Sequence, residues 1–180
     1  MERVSLASFL KKEKEELKGK VFCFPTDTVY GLAALYGDED GIGKIYKIKN
    51  RDPNKPLANL CSNLNQILAL GIEISDEAQE MMVKYWPGPL TIILQKENEK
   101  ISFRMPDSEI ALKILDRFSL LTTTSVNESG EKELNDLDAI EEKFASTIDY
   151  LITDQAQLSK IPSTVVELDN GSIKIIRKGT

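Results

Sequence analysis

The hydrophobic pattern of this chain changes period repeatedly, and each change is marked by a breaker. Val21-Phe22-Cys23-Phe24 is a continuous apolar run ended by Pro25, too short for a helix and right for a buried strand. Residues 29–36 are again apolar, interrupted only by Gly31, and read as a second strand. In residues 38–49 the spacing becomes helical, with Ile42, Ile45, Tyr46 and Ile48 on one side. The same alternation predicts an amphipathic opening helix over 5–17 closed by Gly19, a strand over 57–61, and a helix over 75–85 stopped by Trp86-Pro87-Gly88-Pro89. Ser62 and Ser75 are the expected N-caps. Strands over 90–95 and 101–105, a helix over 107–118, a Thr-rich strand over 120–126, a helix over 136–144 and a short strand over 150–153 follow. Near the end, Thr164-Val165-Val166-Glu167-Leu168 and Ser172-Ile173-Lys174-Ile175-Ile176 flank Asp169-Asn170-Gly171, the signature of a β-hairpin. Interleaved strands and helices with hairpins among them predict a layered α/β domain with a mixed sheet.

The chain has 180 residues and no linker-like tract, so a single domain over 1–180 is expected. Its longest apolar runs fall far short of the ~20 residues that span a bilayer. The N-terminus lacks the apolar core of a secretory signal, which makes the cytoplasm the default location and excludes a membrane partner. There is no histidine, and Cys23 and Cys61 lie in apolar runs without CxxC spacing. A Ser-His-Asp triad, a Cys-His pair, the common zinc sites and a disulfide framework are thereby excluded, and two buried free thiols are expected.

A net charge of −6 argues against a surface that tracks a nucleic-acid backbone as a whole. Any phosphate site must be local. Lys44, Lys47, Lys49, Arg51 and Lys55 crowd one window, with only Asp52 opposing them. That window is either a solvated helix face or such a local site.

Four polar islands fall where apolar strands end, the place at which α/β sheets hold ligands. They are 25–32, 49–51, 125–130 and 162–166. Each alone could be an ordinary turn or strand edge. Their order and spacing, however, resemble the YrdC-like family, whose better-known members are threonylcarbamoyladenylate synthases. The resemblance runs through Phe24-Pro25-Thr26-Asp27-Thr28-Val29-Tyr30-Gly31-Leu32, Lys49-x-Arg51 with Lys55-Pro56-Leu57, and Trp86-Pro87-Gly88-Pro89-Leu90-Thr91. It continues in Phe103-Arg104-Met105-Pro106, Ser125-x-Asn127-x-Ser129-Gly130, Pro162-Ser163-Thr164-Val165-Val166 and Ile176-Arg177-Lys178-Gly179.

The resemblance implies a twisted mixed sheet flanked by helices, with a concave ligand cleft. It implies a nucleotidyltransferase reaction in which L-threonine, bicarbonate and ATP give threonylcarbamoyl-AMP and pyrophosphate, the adenylate passing to partner proteins that modify tRNA. By position, threonine would lie against Thr28, Arg104, Ser125 and Ser163, and ATP against Lys49, Arg51, Lys55, Asn127, Asn135 and Arg177, with Lys49 and Arg51 at the reacting phosphates. The residue types suit those roles: Arg offers a bidentate fork to a carboxylate, and clustered cations take a triphosphate. Mg²⁺ would enter on the ATP phosphates rather than in a protein cage. Trp86-Pro87-Gly88-Pro89 reads as a turn that packs an aromatic, Gly31 as a close backbone approach, and Tyr30 as a pocket wall.

Departures from the family pattern are Val126, where alanine is usual, Asp52, where proline is common, and Ala58-Asn59-Leu60, where many relatives carry a histidine. They imply an altered fit beside the pocket, an acid next to the phosphate-binding pair, and one threonine contact fewer. The ending at Thr180 reads as the single-domain form. Two other readings are a carbamoyl-adenylating activity like that of the HypF module and a double-stranded RNA-binding module; for the synthase itself at most a weak RNA contact is expected.

Overall fold

Side chains along a strand point alternately to the two faces of its sheet, so burial along the strands shows what covers each face. The computed structural model describes residues 1–169 and 172–180. Its strands are β1 (Glu2–Val4), β2 (Phe22–Pro25), β3 (Tyr30–Leu35), β4 (Ala58–Leu60), β5 (Leu90–Lys96), β6 (Glu99–Arg104), β7 (Leu121–Ser125), β8 (Tyr150–Ile152), β9 (Thr164–Asp169) and β10 (Ser172–Arg177). The helices are α1 (Leu6–Phe9), α2 (Glu39–Lys49), α3 (Leu64–Leu68), α4 (Asp76–Tyr85), α5 (Glu109–Phe118) and α6 (Leu137–Phe144). Among the described residues the strands form one mixed sheet in the order β1-β8-β2-β3-β7-β4-β6-β5-β9-β10. The fold is α/β, a mixed sheet flanked by helices.

In the half built from β1, β8, β2, β3 and β7, helices pack on both faces, with Gly31 and residues 123–125 left open to a cleft. Phe22, Phe24, Ala33 and Leu35 pack with Phe9 of α1, Leu17, and Ala111, Ile114, Leu115 and Phe118 of α5. From the other face, Cys23, Leu32 and Ala34 meet Ile45 of α2 and Ile140 and Phe144 of α6. In the second half, Ile92, Leu94, Phe103 and Val166 are buried against Ile67 of α3, Ala78 and Met82 of α4, and Trp86. The alternate residues there, Thr91, Ile93, Ser102, Arg104 and Val165, line the same cleft of about 850 Å³. Among the described residues, Lys49 is the one helical residue in its lining. The cleft is thus the face of the sheet that the helices leave open.

Three local outcomes differ from the periodicity. The expected helix over 5–17 breaks into α1 and a 3₁₀ turn at Lys14–Leu17. Arg117 of α5 donates to the carbonyls of Leu10 (3.2 Å) and Lys12 (3.0 Å), while Glu13 and Glu16 form a capping box that restarts the turn. Asn63, not Ser62, caps α3 by accepting from the Gln66 amide, whereas Ser75 caps α4 as expected. β1 carries one buried residue, too little for a hydrophobic signal, and is recruited by parallel pairing of Glu2, Arg3 and Val4 with Tyr150, Leu151 and Ile152. β9 and β10 pair antiparallel from Asp169 opposite Ser172, and Asn170 and Gly171 of the expected turn lie outside the described residues. Cys23 and Cys61 are free and buried.

Candidate functional site

The first island becomes the turn between β2 and β3. Pairing ends at Pro25 opposite Tyr30, and the turn closes with the Thr26 amide (3.3 Å) and hydroxyl (2.7 Å) both donating to the Val29 carbonyl. The Thr28 amide donates to the Thr26 hydroxyl at 3.2 Å, which fixes Thr28 with its own hydroxyl against Arg104. Arg104, the last residue of β6, is 6% exposed. Its Nε donates to the Gly88 carbonyl (3.0 Å), Nη1 to the Thr28 hydroxyl (2.8 Å) and Nη2 to the Asp27 carboxylate. Burial lowers the basicity of this guanidinium, and Asp27 opposes that shift. A guanidinium has five N–H bonds, so two remain for a ligand.

The Trp86-Pro87-Gly88-Pro89 turn serves this arrangement from behind. The Trp86 indole N–H donates to the Leu90 carbonyl at 2.7 Å and the Gly88 amide to the Met105 carbonyl at 2.8 Å, which leaves the Gly88 carbonyl facing Arg104. A Cβ at Gly88 would sit 2.5 Å from the Tyr85 carbonyl oxygen, so only glycine fits there. Neither Trp86 nor Gly88 lines the cleft.

Lys49 ends α2 and is 2% exposed. Its ammonium donates to the carbonyls of Ser125 (2.8 Å) and Asn127 (2.8 Å) and to Asn127 Oδ1 (2.7 Å). All three of its hydrogens are therefore used to hold the loop after β7, a tighter commitment than a cation waiting for phosphate. Burial, with Arg51 adding repulsion and Glu133 opposing it, brings its pKa down to about 8. Asn127 also accepts from the Ser125 hydroxyl (2.7 Å) and donates to the Glu131 carbonyl (2.7 Å), so the Ser125–Asn127 loop is a closed network.

Arg51 donates to the carbonyls of Lys55 (3.1 Å) and Pro56 (3.0 Å), curling the 51–56 loop so that Arg51 and Lys55 both line the cleft. Asp52 accepts from the amide (2.9 Å) and side chain (3.0 Å) of Asn54, which stabilises the same loop. Across the cleft, the Ser163 hydroxyl shares a hydrogen bond with Thr91 at 2.8 Å. Arg177 donates to the Ser163 carbonyl through Nε (3.1 Å) and Nη2 (2.8 Å), and through Nη2 to the hydroxyl at 3.2 Å. Burial depresses the Arg177 pKa, Glu133 raises it, and Arg51 lowers it, so the two arginines act on the same space.

Of the ten residues singled out from sequence, Thr28, Lys49, Arg51, Lys55, Arg104, Ser125, Asn127, Ser163 and Arg177 line this one cleft. Asn135 does not. Its Oδ1 accepts from the Tyr30 amide at 3.1 Å, a structural contact that spacing along the chain could not distinguish from a ligand contact. Tyr30 is core rather than pocket wall, and a Cβ at Gly31 would meet Thr26 at an ordinary 3.7 Å, so no close backbone approach explains that glycine. Val126 is wholly buried with Tyr30, Ile45 and Ile140, and its extra methyls fill core behind the cleft. Asn59 accepts from the Thr122 hydroxyl (2.9 Å) and donates to the Ser102 carbonyl (3.3 Å), while Ala58 and Leu60 line the cleft. Residues that sequence reasoning missed are Thr26, Thr91 and Glu133 in the lining and Asp27 behind it.

Five cations and three carboxylates, Asp52, Glu131 and Glu133, line the cleft of a chain whose net charge is −6. Its volume of about 850 Å³ falls within the range of small-ligand sites. A basic end with a deeply held guanidinium beyond it suits a polyanion joined to a carboxylate-bearing group.

Residues 16–179 match the Sua5_yciO_yrdC family, described as telomere recombination. A putative threonylcarbamoyl-AMP synthase of Methanocaldococcus jannaschii is 36% identical over 99% of this chain and 87% of its own length. The threonylcarbamoyl-AMP synthase of Pyrococcus abyssi is 31% identical over 90% of this chain and 51% of its own length. The crystal structure of P. abyssi Sua5 complexed with L-threonine superposes with a TM-score of 0.87 at 29% identity, over 98% of this chain and 56% of that one. The chain thus spans about half the length of the Pyrococcus protein. With the family match covering most of the sequence and the fold reproduced from β1 to β10, this chain belongs to the Sua5–YciO–YrdC family.

Proposed function

We propose that the chain is a threonylcarbamoyl-AMP synthase, joining L-threonine, bicarbonate and ATP with release of pyrophosphate. The observation that carries this is the convergence of Thr28, Arg104, Ser125 and Ser163 with Arg51, Lys55 and Arg177 in a single cleft. Its support from outside is the name of two relatives and the threonine complex of a structural neighbour.

In this reading the threonine carboxylate takes the two remaining N–H bonds of Arg104, and the Thr28, Ser125 and Ser163 hydroxyls surround the amino acid. The triphosphate lies along Arg51, Lys55 and Arg177. Lys49 and Asn127 hold the Ser125 loop and add positive charge beneath it. Bicarbonate and the threonine amine give a carbamate as the new N–C bond forms, a C–O bond of bicarbonate breaks and water leaves. A carbamate oxygen attacks the α-phosphorus, the bond from that phosphorus to the bridging oxygen breaks, and pyrophosphate leaves. The carbamate is already a nucleophile, so alignment and charge stabilisation suffice without a histidine base. The adenylate then passes to partner proteins of tRNA modification.

Among the described residues no group of three or more metal-ligating side chains forms a cage. Mg²⁺ would enter with ATP, where it would neutralise phosphate charge at the part of the cleft lined by Arg51, Lys55 and Arg177. The deciding experiment is ATP–pyrophosphate exchange with and without threonine and bicarbonate. Exchange that requires both supports the synthase. Exchange indifferent to threonine supports a HypF-like carbamoyl adenylation, and tight RNA binding without nucleotide binding supports the RNA module.

A further inference from the structure

Two of the three carboxylates in the cleft are accounted for. Asp52 accepts from Asn54, and Glu131 pairs with Lys143. Among the described residues, Glu133 closes no ion pair and its carboxylate accepts no hydrogen bond. Its backbone is nonetheless fixed, because the Glu131 carbonyl accepts from Asn127 at 2.7 Å and the Leu134 amide donates to the Val126 carbonyl at 2.8 Å. The segment is therefore stitched to the loop after β7, and Glu133 is held in the lining of the cleft that Lys49, Arg51 and Arg177 also line. It is near enough to Lys49 and Arg177 to raise the basicity of both.

An unpaired carboxylate among cations that receive phosphate does two things. It repels an uncomplexed triphosphate, and it attracts a divalent ion carried by one. Mg²⁺ commonly binds through one or two carboxylates together with substrate phosphates and water, so a single carboxylate is enough for such a preference. Resting on the synthase reading above, we infer that Glu133 is a specificity-determining residue that makes the cleft select metal-complexed over free triphosphate. Both effects act in the same direction, since complexation removes two negative charges from ATP and supplies a cation for the carboxylate.

The test is calorimetric titration of the full chain and of Glu133→Gln with ATP, once in excess Mg²⁺ and once in EDTA, with melting curves to verify folding. Inorganic tripolyphosphate serves as a second probe. The wild type is expected to bind ATP on the order of tenfold more tightly with Mg²⁺ than in EDTA, from one carboxylate acting on a charge change of two. Glu133→Gln should bind metal-free ATP more tightly than the wild type and lose most of the gain from Mg²⁺, with the same pattern for tripolyphosphate. Glu128→Gln is the control for local charge, because Glu128 pairs with Lys143 and does not line the cleft; it should keep the wild-type ratio. Equal Mg²⁺-to-EDTA ratios in the wild type and Glu133→Gln would overturn the role of Glu133 alone. A wild-type chain that binds no ATP in either buffer would overturn the synthase reading and this inference with it.

Discussion

At the residue scale, the site is built from groups whose hydrogen-bonding capacity is largely committed before a ligand arrives. Arg104 illustrates the energetic stake. Arg104→Ala would leave Asp27 partly buried, its guanidinium partner gone, and breaking a buried pair from one side costs about 3–5 kcal/mol. Urea denaturation at pH 7 should show a loss of that order, together with loss of threonine binding. Arg104→Lys should recover part of the stability but little of the affinity, since an ammonium lacks the planar fork. Lys49 gives a pH signature. Its pKa is about 8 in the free protein, and a bound polyanion raises it. Below pH 8 it is protonated in both states and binding is unaffected; as pH rises through 8 the free protein loses the proton that the complex keeps, and affinity falls. Calorimetry near pH 8.5 in two buffers of different ionisation enthalpy should detect proton uptake on ATP binding, and Lys49→Met should abolish it. Much of the site was legible because Thr28, Ser163 and the 125–127 loop are polar residues set where apolar runs end, while Arg104 was singled out by the family resemblance of Phe103-Arg104-Met105-Pro106. Thr91 was not, because inside Leu90-Thr91-Ile92-Ile93-Leu94 it reads only as a β-branched strand former. Parallel pairing of β5 with β9 is what brings it to Ser163.

At the scale of elements, local chemistry and tertiary contact divide the work unevenly. α5 was legible from its apolar face, and its cap, Ser108, emerges only in the structure. The Ser108 hydroxyl accepts from the Ala111 amide (3.3 Å) and donates to the Pro25 carbonyl (3.3 Å), tying the helix start to the end of β2. Ser108→Ala should cost about 1–2 kcal/mol, a typical N-cap loss, read as a lower urea midpoint with an unchanged m-value. A smaller effect would mean that packing of Ile114, Leu115 and Phe118 carries the helix unaided. The broken opening helix shows the opposite case, since its pattern is helical but Arg117 claims the carbonyls that a continuous helix would need. β10 combines an edge position with exposed Ile173, Ile175 and Ile176. Exposed apolar edges invite strand-to-strand association, and lysine there opposes it. Ile175→Lys should change stability by no more than about 0.5 kcal/mol while slowing aggregation on heating, measured by light scattering.

At the scale of the whole molecule, an acidic chain maintains a cationic cleft, and that contrast separates the two ends of the site. Arg51 and Lys55 stand at the solvent-exposed loop, whereas Arg104 is 6% exposed and enclosed by Asp27, Thr28 and Gly88. Salt screens exposed charges over a Debye length of about 10 Å at 0.1 M and about 3 Å at 1 M, and buried pairs much less. The negative charge of the remaining surface confines attraction to the cleft, so long phosphate backbones gain little from it. Raising sodium chloride from about 0.05 M to about 0.5 M should therefore weaken ATP binding by roughly tenfold and threonine binding by less than about twofold. Tight RNA binding should be absent across that range. Affinities of ATP and threonine falling in step would contradict this division of the cleft, placing the two ligands in one electrostatic environment rather than at a screened mouth and an enclosed floor.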